Sequence, residues 1–175
     1  ACVDCAAGAF ALAGAVSCAP CPVGRIARAP QSAECTPCAA GSAPDGNRTQ
    51  CEPCAVGFAS AAGAACTHCA PGFVTDTPGS VACGACPPGA VAAPNGTQCE
   101  PCTPGRFARA VGSPNCTACP RGSISGAFGG KACALCDAGT FANAAGTQCV
   151  ACEPGFASGV GAAQQSSITV QMKSR

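Results

Sequence analysis

The sequence has few of the residues that build a hydrophobic core. It contains no Trp, no Tyr and one Met, and Val, Ile, Leu and Phe together make up 23 of its 175 residues. Below about 20% of Leu, Ile, Val and Phe, a chain buries too little apolar surface to offset the conformational entropy that it loses on folding. A conventional globular domain held together by a core is therefore excluded.

Charge is equally scarce, with 10% charged residues and a formal net charge of +1. This composition lacks the high net charge of most disordered chains. It also lacks the basic stripe that neutralises phosphates, so we expect no nucleic-acid partner. No apolar run approaches the roughly 18 residues of a membrane helix, so we expect no direct membrane insertion. The chain starts inside its cysteine pattern without a signal peptide, which suggests a segment of a longer protein.

Catalytic side chains are missing as well. The single histidine, His68, and eight scattered acidic residues form neither a catalytic constellation nor a calcium-loop pattern. We therefore expect no enzyme activity, no cofactor and no metal. The most natural interpretation of His68 is a solvated turn residue.

Cysteine, in contrast, is abundant: 20 of 175 residues, above the roughly 8–10% that marks a disulfide scaffold. All twenty form CxxC pairs, which begin 15 to 17 residues apart. The ten pairs are 2/5, 18/21, 35/38, 51/54, 66/69, 83/86, 99/102, 116/119, 133/136 and 149/152. The cysteines therefore define a tandem repeat.

Glycine follows three residues after the second cysteine of every pair, as in Gly8, Gly57 and Gly122, and Phe or Ile usually comes next. Such a glycine permits a backbone turn that a side chain obstructs. Glycine and proline interrupt every unit, which disfavours helices. The sequence therefore predicts a small disulfide-rich fold, mostly irregular with short β-hairpins, little or no helix, and an elongated tandem-repeat rod.

A longer period groups the units into blocks. Residues 1–50, 51–98 and 99–148 each hold three units and end in "DGNRTQ", "PNGTQ" and "AAGTQ". Residues 149–165 form a truncated fourth block. Residues 166–175 include the alternating "SSITVQM", which we interpret either as the first strand of a following domain or as a terminal arm.

Three chemistries compete for the CxxC pairs. Neighbouring pairs have the separation of four-cysteine zinc sites, and "CGAC" at 83–86 is similar to a redox-active motif. The glycine spacing is unlike that of zinc knuckles, and no helix is predicted that would lower the pKa of a thiol. Structural disulfides are therefore favoured, and they require an oxidising compartment, outside the cell or on its surface. Sequons for N-glycosylation at Asn47, Asn95 and Asn115 agree with that route.

The loops "CAPGFVTDTPGSVAC" and "CTPGRFARAVGSPNC" resemble the cysteine-rich repeats of growth-factor receptors, including the ephrin-receptor-like repeat and a submodule of tumour-necrosis-factor-receptor domains. The resemblance covers nearly all of residues 2–160. It implies that each second cysteine bonds to the first cysteine of the next pair. The implied bridges are Cys5–Cys18, Cys21–Cys35, Cys38–Cys51, Cys54–Cys66, Cys69–Cys83, Cys86–Cys99, Cys102–Cys116, Cys119–Cys133 and Cys136–Cys149, which leaves Cys2 and Cys152 to partners outside this segment.

The residues themselves leave open a crosswise pairing, first cysteine to first and second to second, in five knots. Two arginine motifs, "GRIARA" at 24–29 and "GRFARA" at 105–110, are either solvated or bind an acidic glycan or a partner strand. The repeat-borne phenylalanines either pack on the next disulfide or make lateral contacts.

We expect an extracellular structural stalk or filament-forming segment of a larger surface glycoprotein, with attached glycans and a homo-oligomeric assembly of other filament subunits as partners. The alternatives are a ligand-binding receptor ectodomain and, less favoured, a protein with several four-cysteine zinc sites. The alanine-rich bias with repeated Ala-Pro resembles green-algal surface glycoproteins of the flagellar-hair (mastigoneme) type. That resemblance implies a flagellar or ciliary surface.

Overall fold

The computed structural model describes residues 3–167, and within them the chain forms ten antiparallel two-stranded hairpins and no helix. Each strand pairs with the next one along the chain, so hairpin 1 is β1 with β2 and hairpin 10 is β19 with β20. The strands are β1 (Ala9–Phe10), β2 (Ala19–Pro20), β3 (Arg25–Ile26), β4 (Thr36–Pro37), β5 (Ser42–Pro44), β6 (Cys51–Pro53), β7 (Phe58–Ala59), β8 (Thr67–His68), β9 (Phe73–Val74), β10 (Gly84–Ala85), β11 (Ala90–Ala92), β12 (Cys99–Pro101), β13 (Arg106–Phe107), β14 (Thr117–Ala118), β15 (Ser123–Ile124), β16 (Ala134–Leu135), β17 (Thr140–Ala142), β18 (Cys149–Ala151), β19 (Phe156–Ala157) and β20 (Ser166–Ser167). The predicted disulfide-rich, hairpin-based fold class is confirmed.

The two strands of a hairpin occupy fixed places in the repeat. The first strand begins directly after the repeat glycine, and the second is formed around the two residues between the cysteines of the next pair. In hairpin 1, for example, Ala9 pairs with Pro20 and Phe10 with Ala19. The Cys21 amide donates to the Gly8 carbonyl at 3.0 Å and closes the base of the hairpin. Proline is tolerated here because every strand of a two-stranded sheet is an edge strand.

Every third hairpin is longer than its neighbours. Hairpins 3, 6 and 9 have strands of three residues, whereas all the others have two. Their turns are closed by a further backbone bond, from the Asp45 amide to the Gln50 carbonyl at 2.9 Å and from the Asn143 amide to the Gln148 carbonyl at 3.0 Å. These are the turns that contain the repeated "TQ" at the ends of the sequence blocks.

Sulfur occupies most of the interior. Five of the six largest fully buried side chains are cysteines, and Ile26 is the sixth. Around Cys21 and Cys35 a small cluster adds Ala27, with Phe10 packed against it. In this cluster a repeat phenylalanine packs against the disulfide of the next hairpin, which is the first of the two alternatives stated above.

The described residues divide into two compact units, one of residues 3–85 with 93–98 and the other of residues 86–92 with 99–167. Within the first unit each hairpin bonds to the next through its backbone, as from the Gly41 amide to the Ser60 carbonyl at 2.7 Å. The second unit repeats this contact from the Gly105 amide to the Ser125 carbonyl at 2.7 Å. Neighbouring hairpins are therefore joined by main-chain groups, whose hydrogen bonding does not depend on side-chain identity.

Gln31 lies in a turn position that other hairpins fill with glycine. Its φ is 61°, and the position four residues before the closing cysteine is Gly79 in hairpin 5 and Gly129 in hairpin 8, with φ of 74° and 75°. Gln31→Gly is expected to stabilise the oxidised chain by about 0.5–1 kcal/mol, because relief of the left-handed backbone outweighs the added unfolded-state entropy. Guanidinium denaturation with the bridges intact measures this effect.

Arg48→Gly is the matched control. Arg48 also has a positive φ, of 59°, but its guanidinium donates to the Cys21 carbonyl. Glycine at this position loses that hydrogen bond, so we expect a smaller gain than at Gln31. An unchanged or lower denaturation midpoint for Gln31→Gly contradicts the argument.

Candidate functional site

A ladder of nine disulfides runs through the described chain. Each joins the second cysteine of one pair to the first cysteine of the next, with a sequence separation of 12 to 14 residues and Cα–Cα distances of 5.4 to 5.8 Å. The bridges are Cys5–Cys18, Cys21–Cys35, Cys38–Cys51, Cys54–Cys66, Cys69–Cys83, Cys86–Cys99, Cys102–Cys116, Cys119–Cys133 and Cys136–Cys149. These are the pairs that the receptor resemblance implies, and the crosswise alternative is not formed.

The disulfide pairing also tests the zinc-binding and redox interpretations of the CxxC pairs. Zinc is bound by thiolates, and a sulfur that is bonded to sulfur is not a thiolate, so the ladder is incompatible with four-cysteine zinc sites at the same residues. In "CGAC", Cys83 bonds to Cys69 and Cys86 bonds to Cys99. A redox-active CxxC needs a disulfide between its own two sulfurs, and this pair does not have one.

The repeat glycine has a second role that the sequence did not reveal. In seven hairpins, a Cβ atom placed on this glycine meets the backbone of the hairpin two repeats further on. At Gly57 that Cβ overlaps the Asn95 carbonyl oxygen, and at Gly122 it overlaps the Gly161 carbonyl oxygen. We call each such glycine a seat and the oxygen that faces it a turn carbonyl. The seven filled seats are Gly8, Gly24, Gly41, Gly57, Gly89, Gly105 and Gly122.

Because a seat admits no side chain, the glycine must be kept for contact as well as for its positive φ. The contact at Gly24 is looser, with the Gly63 oxygen 3.2 Å from the Cβ position. The sequence contains one indication of this contact: the same glycine occurs in all ten units, although most other positions vary. A turn with positive φ also tolerates Asn or Asp, but all ten units have glycine at this position.

All four arginines of the two arginine motifs are exposed, and the first arginine of each motif makes a hydrogen bond to the backbone. Arg25 Nη1 donates to the Cys35 carbonyl at 2.8 Å, and Arg106 Nη1 donates to the Cys116 carbonyl at 3.0 Å. In both motifs the first arginine therefore binds the closing cysteine of its own hairpin. The binding of a glycan or a partner strand by these motifs stays a prediction.

The sequon asparagines all lie on the surface. Asn47 and Asn95 occupy equivalent turns, and their backbone carbonyls face the seats Gly8 and Gly57 while both residues remain exposed. The Thr97 hydroxyl donates to Asn95 Oδ1 at 2.9 Å. Asn115 is exposed next to Cys116, which is bridged. Glycan occupancy at the three positions stays a prediction.

His68 lies on the surface of hairpin 4. Its ring makes an edge-to-face contact with Phe58, with centroids 5.1 Å apart. His68 Nδ1 lies 2.8 Å from the Cys69 carbonyl oxygen, so a proton on that nitrogen donates to the backbone. No group of three or more His, Cys, Asp or Glu side chains able to hold a metal occurs among residues 3–167.

Hairpin 10 departs from the cysteine pattern. Phe156 pairs with Ser167, so Gln165 occupies the place of a closing cysteine. The Gln165 side-chain oxygen accepts from the Glu153 amide at 3.0 Å, and Cys152, half-buried, has no disulfide partner within the described residues. Residues 166–167 form the closing strand β20, whereas Cys2 and the rest of the predicted terminal strand, residues 168–175, lie outside the described residues.

No protein-family model matches this chain, and none of the curated proteins matches it either. The structure itself identifies tandem disulfide-linked hairpins of the cysteine-rich repeat class. Their disulfide content indicates an extracellular or secreted protein. Over residues 3–167 there is no helix of the length and apolarity needed to cross a membrane.

Gly57→Ala tests whether the close contact at the seat requires glycine. Gly14 is the control because its φ of 81° matches the 80° of Gly57, but it has nothing within 4 Å of its Cβ position. Gly14→Ala is expected to cost about 1–2 kcal/mol of stability, the cost of a left-handed alanine, and Gly57→Ala roughly 2–5 kcal/mol, because overpacking is added. Denaturation of the oxidised proteins measures both, and equal losses contradict the seat.

We expect the stability of the hairpin 3 turn to depend on pH because of the Asp45 carboxyl. Desolvation raises the pKa of its carboxyl, but hydrogen bonds from the Thr49 hydroxyl and from the backbone amides of Gln50, Thr49 and Arg48 lower it, and the net shift of the pKa is downward. Because the pKa is lower in the folded state than in the unfolded chain, the ionised carboxyl stabilises the turn. This contribution is complete above the unfolded-state pKa, near 4, and is lost as the pH falls through the folded-state pKa.

NMR shifts of the Thr49 and Gln50 amides are therefore expected to move in acid as the turn loosens. Asp45→Asn is the control, because Asn143 fills the same place in hairpin 9 and accepts from the Thr147 amide at 2.9 Å without a charge. The asparagine variant should keep the turn and lose its pH dependence. A variant that titrates like the parent protein would falsify the assignment to Asp45.

Proposed function

We propose that this chain is an extracellular structural segment, a stalk or filament-forming part of a larger surface glycoprotein, and that it acts through mechanical constraint and not as an enzyme. The observation that carries the proposal is the unbroken run of nine bridges from Cys5 to Cys149. Catalysis needs positioned acids, bases or nucleophiles, whereas spacing needs only a chain that keeps its length.

The ladder limits how far tension can extend the chain. Only two residues separate one bridged loop from the next, as between Cys18 and Cys21. Each bridge holds back a loop of 12 to 14 residues, or roughly 40 Å of extended chain. A pull along the chain therefore acts on short links and covalent bridges, and the loops cannot be drawn out.

The loops also favour a spacer over the alternative of a ligand-binding ectodomain. They are short, and the segments between the strands are rich in Ala, Gly and Ser, with few long side chains for recognition. Protein interfaces depend on a few large anchors, mainly Trp, Tyr and Arg, and this chain has no Trp or Tyr.

Two more specific identities follow from the sequence resemblance. The spacing supports membership of the growth-factor-receptor type of cysteine-rich repeat. The Ala-Pro dipeptides, at 19–20, 29–30, 43–44, 70–71 and 93–94, support a flagellar-hair glycoprotein of the mastigoneme type. We propose the latter as the more specific function, with N-glycans at Asn47, Asn95 and Asn115 and a location on a ciliary or flagellar surface.

Single-molecule stretching of the whole chain between two handles tests the proposal. The oxidised chain is expected to stay short under load, and reduction is expected to release roughly 40 Å of contour length for each bridge. The untreated and reduced chains are compared in the same tether. Equal extension of the two would show that the ladder does not constrain length, and would remove the basis for a stalk.

A further inference from the structure

Hairpins 7 and 8 carry a concentration of positive charge in the middle of the second unit. Residues 101–136 contain no Asp or Glu, and all of their basic side chains are exposed. The basic residues of this segment are Arg106, Arg109, Arg121 and Lys131. Elsewhere the acidic residues are spread along the chain, so this surface differs in charge from the nearly neutral protein that bears it.

The fold brings basic residues of the two hairpins together. The Ala108 amide donates to the Gly130 carbonyl at 2.9 Å, and Arg109 and Lys131 directly follow these two residues. Arg106 lies at the same contact, because a Cβ atom placed on Gly130 would be 2.7 Å from the Arg106 carbonyl oxygen. We call Arg106, Arg109 and Lys131 the basic junction.

The contact between two hairpins does not require this charge. The equivalent bond between hairpins 4 and 5 runs from the Ser60 amide to the Ser80 carbonyl at 3.1 Å. The residues that follow these two serines are Ala61 and Val81, neither of which is charged. The same backbone contact therefore forms with and without cations, and the packing of the fold does not explain the basic junction.

An exposed phenylalanine belongs to the same turn of hairpin 8. Phe128 lies three residues before Lys131 and is 67% exposed, whereas the other six phenylalanines are at most 39% exposed. It is also the one phenylalanine outside the repeat position after the motif glycine, which Ile124 occupies in this unit. Phe128 is therefore not needed for the repeat, and it offers an apolar ring face close in sequence to a cation.

These side chains indicate the chemistry of a ligand. Guanidinium groups bind carboxylate and sulfate oxygens through paired N–H donors, and lysine adds a point charge. Arg106 Nη1 donates to the Cys116 carbonyl at 3.0 Å, which orients this guanidinium and uses one of its five N–H groups. A ring-shaped ligand with anionic substituents matches both the cations and the exposed aromatic ring.

We propose that the basic junction binds an acidic polysaccharide, a polymer of sugar rings that carry sulfate or carboxylate groups. Arg109 and Lys131 bind the anionic groups from the two hairpins, and Phe128 stacks on a sugar ring. The disulfide content agrees with this ligand, because it indicates an extracellular or secreted protein. The site adds a binding activity to the stalk proposed above and does not depend on it.

Binding of the full oxidised chain to immobilised dextran sulfate tests the site, with unsubstituted dextran as the neutral polymer. The parent protein is expected to bind only dextran sulfate, and more weakly as salt screens the charges. Arg109→Gln is expected to weaken binding several-fold. Arg109→Gln combined with Lys131→Gln should weaken it roughly tenfold or more, because two charge-assisted contacts are lost.

Arg28→Gln is the matched control for Arg109→Gln. Arg28 has the same place in the other arginine motif and is also exposed, but it lies outside the basic junction. The two variants change the net charge equally, so a general attraction to polyanions predicts equal losses. Equal losses, or a parent protein that binds no acidic polysaccharide, overturn the site.

Two further polymers identify the ligand class. Polygalacturonate carries carboxylates on sugar rings, and poly-L-glutamate carries them on a polypeptide. Binding to dextran sulfate alone assigns a sulfated polysaccharide, and binding to polygalacturonate as well extends the assignment to carboxylated ones. Preference for poly-L-glutamate over both polysaccharides indicates an acidic protein partner and overturns the proposal.

Phe128→Ser tests the contact with a sugar ring. It is expected to weaken binding to dextran sulfate several-fold, because the apolar face is lost while every charge is kept. Unchanged binding would show that the ring takes no part and would overturn this contact. Peptide mapping of the nine bridges verifies that each variant folds, and all the substituted residues are exposed. A chain that binds but extends freely under load overturns the stalk and leaves this site in place.

Discussion

Covalent bonds between sulfur atoms do in this protein what buried hydrocarbon does in most domains. Five of the six largest fully buried side chains are cysteines, while valines such as Val3 and Val16 are 84% and 103% exposed. A bridge across a loop of this length stabilises by about 3 kcal/mol in the chain-entropy description, chiefly by restricting the unfolded chain. Over the nine bridged hairpins, stability is therefore distributed along the sequence, hairpin by hairpin, and depends on an oxidising environment.

The bridges and the glycine seats constrain different levels of the structure. A bridge fixes the base of one hairpin, where the Cys54 amide also donates to the Gly41 carbonyl at 2.9 Å. A seat fixes the distance between a hairpin and the one two repeats later. Only the turns are left free to vary in length, and the bridge separations therefore range only from 12 to 14 residues along the chain.

Much of the fold could be predicted from residue spacing. The CxxC period, the glycine after each pair and the frequency of Gly and Pro were enough to predict short hairpins in place of helices, because each is a local property. The bridge pairing was not available from the residues, since both pairings satisfy the same spacing. The filled seat at Gly57 was equally hidden, because its partner Asn95 belongs to a hairpin two repeats away. The carbonyl partners of Arg25 and Arg106 likewise depend on the folded turn.

The placement of each second strand between two cysteines has a further consequence. The dipeptides inside the CxxC pairs, such as Thr36-Pro37, Glu52-Pro53 and Ala134-Leu135, are all exposed, although the cysteines beside them anchor the fold. Apart from contacts such as those of His68 with Phe58 and of Leu135 with Gly161, these side chains face solvent, so the identity of most of them is free to change while their position is not. Substitutions in these dipeptides can therefore change the surface chemistry at regular intervals along the molecule without changing its fold.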